Sequence, residues 1–208
     1  SINQDLVRLL LEQYPLEIEH ILEAKKHNQN TYFINTMKID VETLREELNK
    51  WNVDYHISKH MILETQSPLL HSPLFKEGFF IPQDTSSIEV GLVLNPKKGS
   101  TILDCCSAPG SKAMQLAIMM ENTGKIFAGD IYEHKMIHDA SNRLGLTCIQ
   151  AALADATSFD YQQSFDYILA DVPCSGLGVI HHKPDLKYQM TLNKIENIKH
   201  LQKEIVEH

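Results

Sequence analysis

Four aspartates stand at or just past the ends of short apolar runs in the second half of the chain. Asp104 follows Thr101 to Leu103, Asp130 follows Lys125 to Ala128, Asp155 comes shortly after Cys148 to Ala151, and Asp171 follows Tyr167 to Ala170. A single acid in such a place is ordinarily a solvated strand end or a helix cap. Four in register make a rim of negative charge, which repels a diphosphate and suits a ligand carrying a sulfonium and an ammonium. The loop DCCSAPGSK, running from Asp104 to Lys112, has Gly110 where a dinucleotide fingerprint needs three glycines at fixed offsets. A nicotinamide cofactor is therefore disfavoured. Pro109-Gly110 instead makes a tight turn along which a ligand can approach the backbone, and the helix N-terminus after it offers free amides to a carboxylate. These features point to S-adenosylmethionine, whose methionine end carries that carboxylate, with Asp130 placed to accept from two ribose hydroxyls.

The second chemical signal is DVPCSGLGV, which begins at Asp171. Pro173 fixes the backbone, Gly176 and Gly178 permit unusual dihedrals, and Cys174 sits at the turn as a candidate reactive thiol. Amino-group methyltransferases place an aromatic after this proline to stack on the target base, whereas a cysteine points to carbon chemistry. Carbon 5 of a pyrimidine is a poor nucleophile until a thiolate adds to carbon 6 and pushes electron density onto it. An acid contacting the ring, such as Asp171, assists that addition. Free cysteines are more often inert, and Cys105, Cys106 and Cys148 are expected to be of that kind.

These residues need a frame that lines up strand ends. Short apolar strands alternate with amphipathic helices: Thr101 to Leu103, helix Lys112 to Met120, Lys125 to Ala128, helix Glu133 to Leu144, Cys148 to Ala151, and Tyr167 to Ala170. That alternation predicts an α/β, Rossmann-like domain with a parallel, doubly wound sheet, in which ligands bind beyond the carboxyl ends of the strands. Upstream, helical periodicity covers Leu6 to Tyr14 and Ile18 to Lys26, followed by a β-rich run at Thr31 to Met37. A helix from Val41 to Trp51, capped by Asp40 and burying Trp51 by its spacing, precedes strands near Tyr55 to Ile57 and Met61 to Leu63. This stretch reads as a small α+β module, the alternative being a plain N-terminal extension. Gln66 to Pro82 is loop-like, so residues 1–80 are assigned to the module and 81–208 to the Rossmann-like domain, with a helix at Ser86 to Leu94 and a closing helix at Thr191 to Val206.

Bulk composition narrows the function. A hydrophobic content of 43% is that of an ordinary globular protein, and the longest apolar stretches fall far short of a membrane span. With no signal-peptide order at the N-terminus, a cytoplasmic location and no membrane partner are expected. The four cysteines form no CxxC pair, so neither a zinc ribbon nor a disulfide framework is indicated. His134 and His138 share a helical spacing without a third ligand and read as a solvated face, so no metal is expected. A net charge of −8 argues against gripping nucleic acid over the whole surface, while leaving room for a local basic site.

Taken in order, GFFIPQDTSSIEV, DCCSAPGSK, AGDIYEHK, ALADATSF and DVPCSGLGVIHHKPDLKY resemble the RNA (cytosine-5)-methyltransferases of the Sun/Nop2 family over nearly the whole chain. The resemblance implies methyl transfer from S-adenosylmethionine to carbon 5 of a cytosine in ribosomal RNA, that of the small subunit. It implies a cofactor site made by Cys106, Ser107, Ala108, Pro109, Gly110, Ser111 and Lys112 with Asp130, Asp155 and Asp171, the last also close to the target base. Cys174 would help release the product. In this family the attacking thiolate comes from a Thr-Cys-Ser-type motif a few dozen residues beyond the Pro-Cys loop, so the chain is expected to be a fragment, incomplete at its C-terminus. Cys174 as the attacking group is the alternative. Ser111 and Ala113 replace a second glycine and a threonine of the family loop, which is expected to weaken cofactor affinity. His181 and His182 replace a pair of arginines, which would make phosphate binding there pH-dependent. Two further readings stay open: a non-catalytic module that holds S-adenosylmethionine or RNA, and a methyltransferase acting on another substrate.

Overall fold

The computed structural model describes residues 2–23, 29–132, 134–180 and 183–208, and nothing of the His134 side chain. His181, His182 and Glu133 lie outside the described residues, so the expected pH-dependent phosphate contact and the first residue of the expected 133–144 helix fall there too. Two compact units divide the chain, one made of residues 1–28 with 172–208 and the other of residues 29–171.

The first unit opens with α1 (Gln4–Gln13) and α2 (Ile18–Glu23). Asn3 caps α1 by accepting from the Asp5 and Leu6 amides, and Leu6, Leu10 and Ile18 form a small core.

The second unit holds two sheets. Strand β1 (Asn30–Ile34), α3 (Val41–Lys50), β2 (Tyr55–Ile57), β3 (Ile62–Thr65), α4 (Pro73–Lys76) and β4 (Phe80–Pro82) build an antiparallel sheet of order β2-β3-β1-β4. Asp40 caps α3 through the Thr43 amide at 2.9 Å, and Leu44 and Leu48, four residues apart, are buried beneath it. The expected α+β character holds. The 66–82 stretch, however, is more than a loop: it contains α4 and a fourth strand, whose Ile81 pairs with Phe33. Three residues ending in proline carry too little period to be read as a strand. Trp51 is also corrected, since it caps the end of α3 and is 54% exposed.

After α5 (Thr85–Leu94) come β5 (Thr101–Asp104), α6 (Ser111–Met119), β6 (Lys125–Asp130), α7 (His134–Leu144), β7 (Ile149–Leu153) and β8 (Tyr167–Leu169). All strand pairs are parallel, in the order β7-β6-β5-β8, which is the doubly wound arrangement expected. Ile88, Ile102, Leu116, Ile126 and Ile137 sit in its fully buried core. Because strand order reverses at β5, the crevice beyond β5 and β8 is the topological switch point, where such sheets hold ligands.

The chain then re-enters the first unit with a single 3-10 turn (Leu177–Val179), α8 (Leu186–Gln189) and α9 (Leu192–Glu207). Leu177 packs against the α1 and α2 core, and the Asn3 amide donates to the Lys187 carbonyl at 2.9 Å. Among the described residues no helix is long and apolar enough to cross a membrane.

Candidate active site

The loop after β5 is laid across the ends of its neighbours by backbone hydrogen bonds. The Cys105 amide donates to the Leu169 carbonyl of β8 at 3.1 Å, and the Ser107 amide donates to the Gly129 carbonyl of β6 at 2.9 Å. The chain turns at Gly110, whose φ of +96° lies in the region that favours glycine; a Cβ there would also meet Met114 Cε at 2.9 Å. Helix α6 begins at the next residue with no side chain capping its N-terminus, so its first amides point out of the loop.

Around this loop the structure gathers Asp104, Asp130 and Asp171 in three different settings. Asp130 is fixed by two amides: Ala108 donates to Oδ2 at 3.1 Å and Tyr132 to Oδ1 at 3.0 Å. Asp171 is 54% exposed on its side chain, and its Oδ2 lies 2.5 Å from Nζ of Lys112, which is largely buried. Asp104 is 1% exposed, and no described residue is in hydrogen-bonding geometry with either of its carboxyl oxygens. Its carboxyl is pushed up to about 7, first by burial and also by the Asp171 charge, while the nearby Ser107 hydroxyl, Cys106 amide and Lys112 oppose the shift. The Ser107 hydroxyl is likewise buried without a described partner.

Asp155 is exposed just past β7, where its Oδ1 accepts from the Thr157 amide at 2.9 Å and the Thr157 hydroxyl at 2.7 Å. Strand β7 runs in register with β6, pairing Leu153 with Asp130, so both acids leave the same edge of the sheet. Cys174 belongs to the other unit and is exposed, in a loop where Gly176 has a φ of +71°. Cys105 is buried as expected, but Cys106 and Cys148 are only partly so.

Tyr161 escaped notice in the sequence. It packs edge-on to Phe127 with ring centres 5.7 Å apart and near Phe159 and Phe165. Burial pushes its phenol up to about 12, reinforced by Cys105, Cys106 and Asp155. The spacing of Phe159, Tyr161 and Phe165 matches neither strand nor helix, so only the fold shows that they gather beside Phe127 of β6. Among the described residues no group of three or more His, Cys, Asp or Glu could hold a metal.

The chemistry of this donor set fits a cationic cofactor with a carboxylate tail: acids at the strand ends, free helix amides, and a buried carboxyl short of a partner. Comparison with known proteins agrees on the class. The sequence model of 16S rRNA methyltransferases RsmB/F matches residues 91–208, more than half of the chain, which therefore belongs to that family. A probable ribosomal RNA small subunit methyltransferase B of Bacillus subtilis is 37% identical over 180 residues, covering 81% of this chain and 39% of its own length. A methyltransferase homologue from Pyrococcus horikoshii superposes with a TM-score of 0.81 at 26% identity, covering 97% of this chain and 67% of that one. NSun6 from the same organism, solved with SFG, shares the fold with a TM-score of 0.89 at 20% identity over 98% of this chain and 78% of its own. The chain thus spans well under half of the Bacillus relative.

Proposed function

We propose that this chain holds S-adenosylmethionine at the end of β5 and takes part in methylating carbon 5 of a cytosine in small-subunit ribosomal RNA. The observation that carries the reading is the convergence of Asp104, Lys112 and Asp171 at the switch point, with Asp130 anchored by the loop's Ala108 amide. The bound cofactor would supply an electrophilic methyl group on a sulfonium. The α6 amides and the turn from Cys106 to Ser111 would receive its carboxylate, and Asp130 its ribose hydroxyls. Asp155 adds negative charge at the same strand edge.

Lys112 holds Asp171 in one orientation, leaving the second carboxylate oxygen to meet the ring of the target base and to steady charge as a thiol adds to it. Cys174, three residues on, serves product release in this scheme. The attacking thiol is assigned to a Thr-Cys-Ser-type motif, which is not among these 208 residues.

Calorimetric titration with S-adenosylmethionine tests the site. The parent chain should bind, and Asp130→Ala should weaken binding by about 10-fold or more, the loss of a charge-assisted hydrogen-bonding pair. A parent that binds no S-adenosylmethionine while remaining folded, or an Asp130→Ala variant with unchanged affinity, overturns the assignment.

A further inference from the structure

We infer that Gln202 is a positioning residue for Cys174, holding the Pro-Cys loop from α9 by the carbonyl of Pro173. Its Nε2 donates to that carbonyl oxygen at 2.8 Å. The peptide it grips is the one that joins Pro173 to Cys174. Oxygen, amide and the Cys174 Cα lie in one rigid plane, so fixing the oxygen fixes the plane from which the cysteine side chain departs.

Among the described residues, positions 172–175 make no backbone hydrogen bond, and the contact from Gln202 is the one side-chain hydrogen bond on them. Pro173 has no amide to donate. Pro173 and Cys174 are both exposed, so packing does not fix them. The downstream end of the loop is held by other means. Gly176 takes a φ of +71°, where a Cβ would come 3.0 Å from Leu186 Cδ1, and Leu177 joins the core of α1 and α2. Between Val172 and Gly176 the chain therefore rests on α9.

Gln202 also stands out by its place on the helix. The half-buried residues of α9 are Ile195, Ile198, Leu201, Gln202 and Ile205, a helical stripe in which Gln202 is the polar member. A glutamine drawn into the covered stripe of an amphipathic helix needs a partner for its amide, and Pro173 supplies it. The consequence for turnover rests on the reading of Cys174 as the product-release group, whereas the loop geometry can be measured without any methyl transfer.

NMR of the folded 208-residue chain, with cysteine isotope-labelled at the amide nitrogen and the β-carbon, tests the inference. The chain has four cysteines, and the signals lost in Cys174→Ser identify those of the loop. Two variants remove the donor: Gln202→Ala, and Gln202→Glu at neutral pH, whose carboxylate keeps the shape but can only accept. In both, the Cys174 amide nitrogen and β-carbon should shift or split by more than the signals of Cys105, Cys106 and Cys148. Unchanged Cys174 signals in either variant overturn the inference, as does a displaced amide with an unmoved β-carbon. An equal shift of all four cysteines, the mark of a general loss of structure, overturns it too. Absence of S-adenosylmethionine binding in calorimetry would sink the cofactor reading and leave these signals as they are, so the two failures are told apart.

Discussion

Asp104 is the residue whose chemistry departs furthest from what its type suggests. A carboxyl held up to about 7 by burial keeps its proton in the folded chain over a range where an unfolded aspartate, ordinarily near 3.8, has lost it. Folding therefore takes up a proton between those two values, and the stability so linked falls as pH rises through that window and levels off above it. Asp104→Asn, neutral at every pH and of the same shape, should unfold later in urea at pH 8, by up to about 4 kcal/mol, and differ little from the parent at pH 4. An equal effect at both pH values would show that burial of the charge is not the cause. Asp171 sits in a different regime, half open to solvent beside the largely buried Lys112, and their pairing orients its carboxylate.

Among the elements, the C-terminal end of α7 does most to join the antiparallel sheet to the parallel one within residues 29–171. The Asn35 side chain donates to the carbonyls of Gly78 and Leu144 at 2.9 and 3.0 Å, and Lys38 Nζ donates to those of Glu77 and Arg143, each at 2.8 Å. The Arg143 guanidinium stacks 3.9 Å from the Phe75 ring centre and donates to the Phe75 carbonyl at 2.7 Å. Gly78 permits this approach: its φ is +78°, and a Cβ would fall 2.3 Å from the Arg143 carbonyl oxygen. Gly78→Ala should therefore cost about 2–4 kcal/mol from left-handed strain and a backbone clash, read as a lower urea midpoint with an unchanged slope. Sequence patterning found α3, α6 and β5 to β8, because their apolar runs and amphipathic helices are bounded by turn residues. It missed β4, whose strand character comes only from pairing with β1.

At the scale of the whole molecule, the two larger cores lie entirely within residues 29–171, and the larger of them takes residues from both sheets. That unit contains the loop proposed to hold the cofactor, with Asp130 and Asp171, while Cys174 belongs with the terminal helices. Residues 29–171 alone should therefore unfold cooperatively by circular dichroism and retain S-adenosylmethionine binding by calorimetry. Non-cooperative unfolding would mean that the terminal unit is needed to complete a core. With a net charge of −8, any grip on nucleic acid by this chain would have to be local and not rest on general phosphate attraction.

The sequence by itself determined the fold class, the alignment of four acids at strand ends, and a loop with too few glycines for a dinucleotide fingerprint. These are local: they follow from strand period, turn residues and the order of elements along the chain. Tertiary structure decided how the acids differ. Asp104 is buried and short of partners, Asp130 is tied to the Ala108 amide of the loop, Asp171 is paired with Lys112, and Asp155 is exposed. It likewise set Tyr161 edge-on to Phe127, between Phe159 and Phe165. Burial and pairing depend on which distant segments close over a residue, and four identical side chains carry no trace of that in their own sequence.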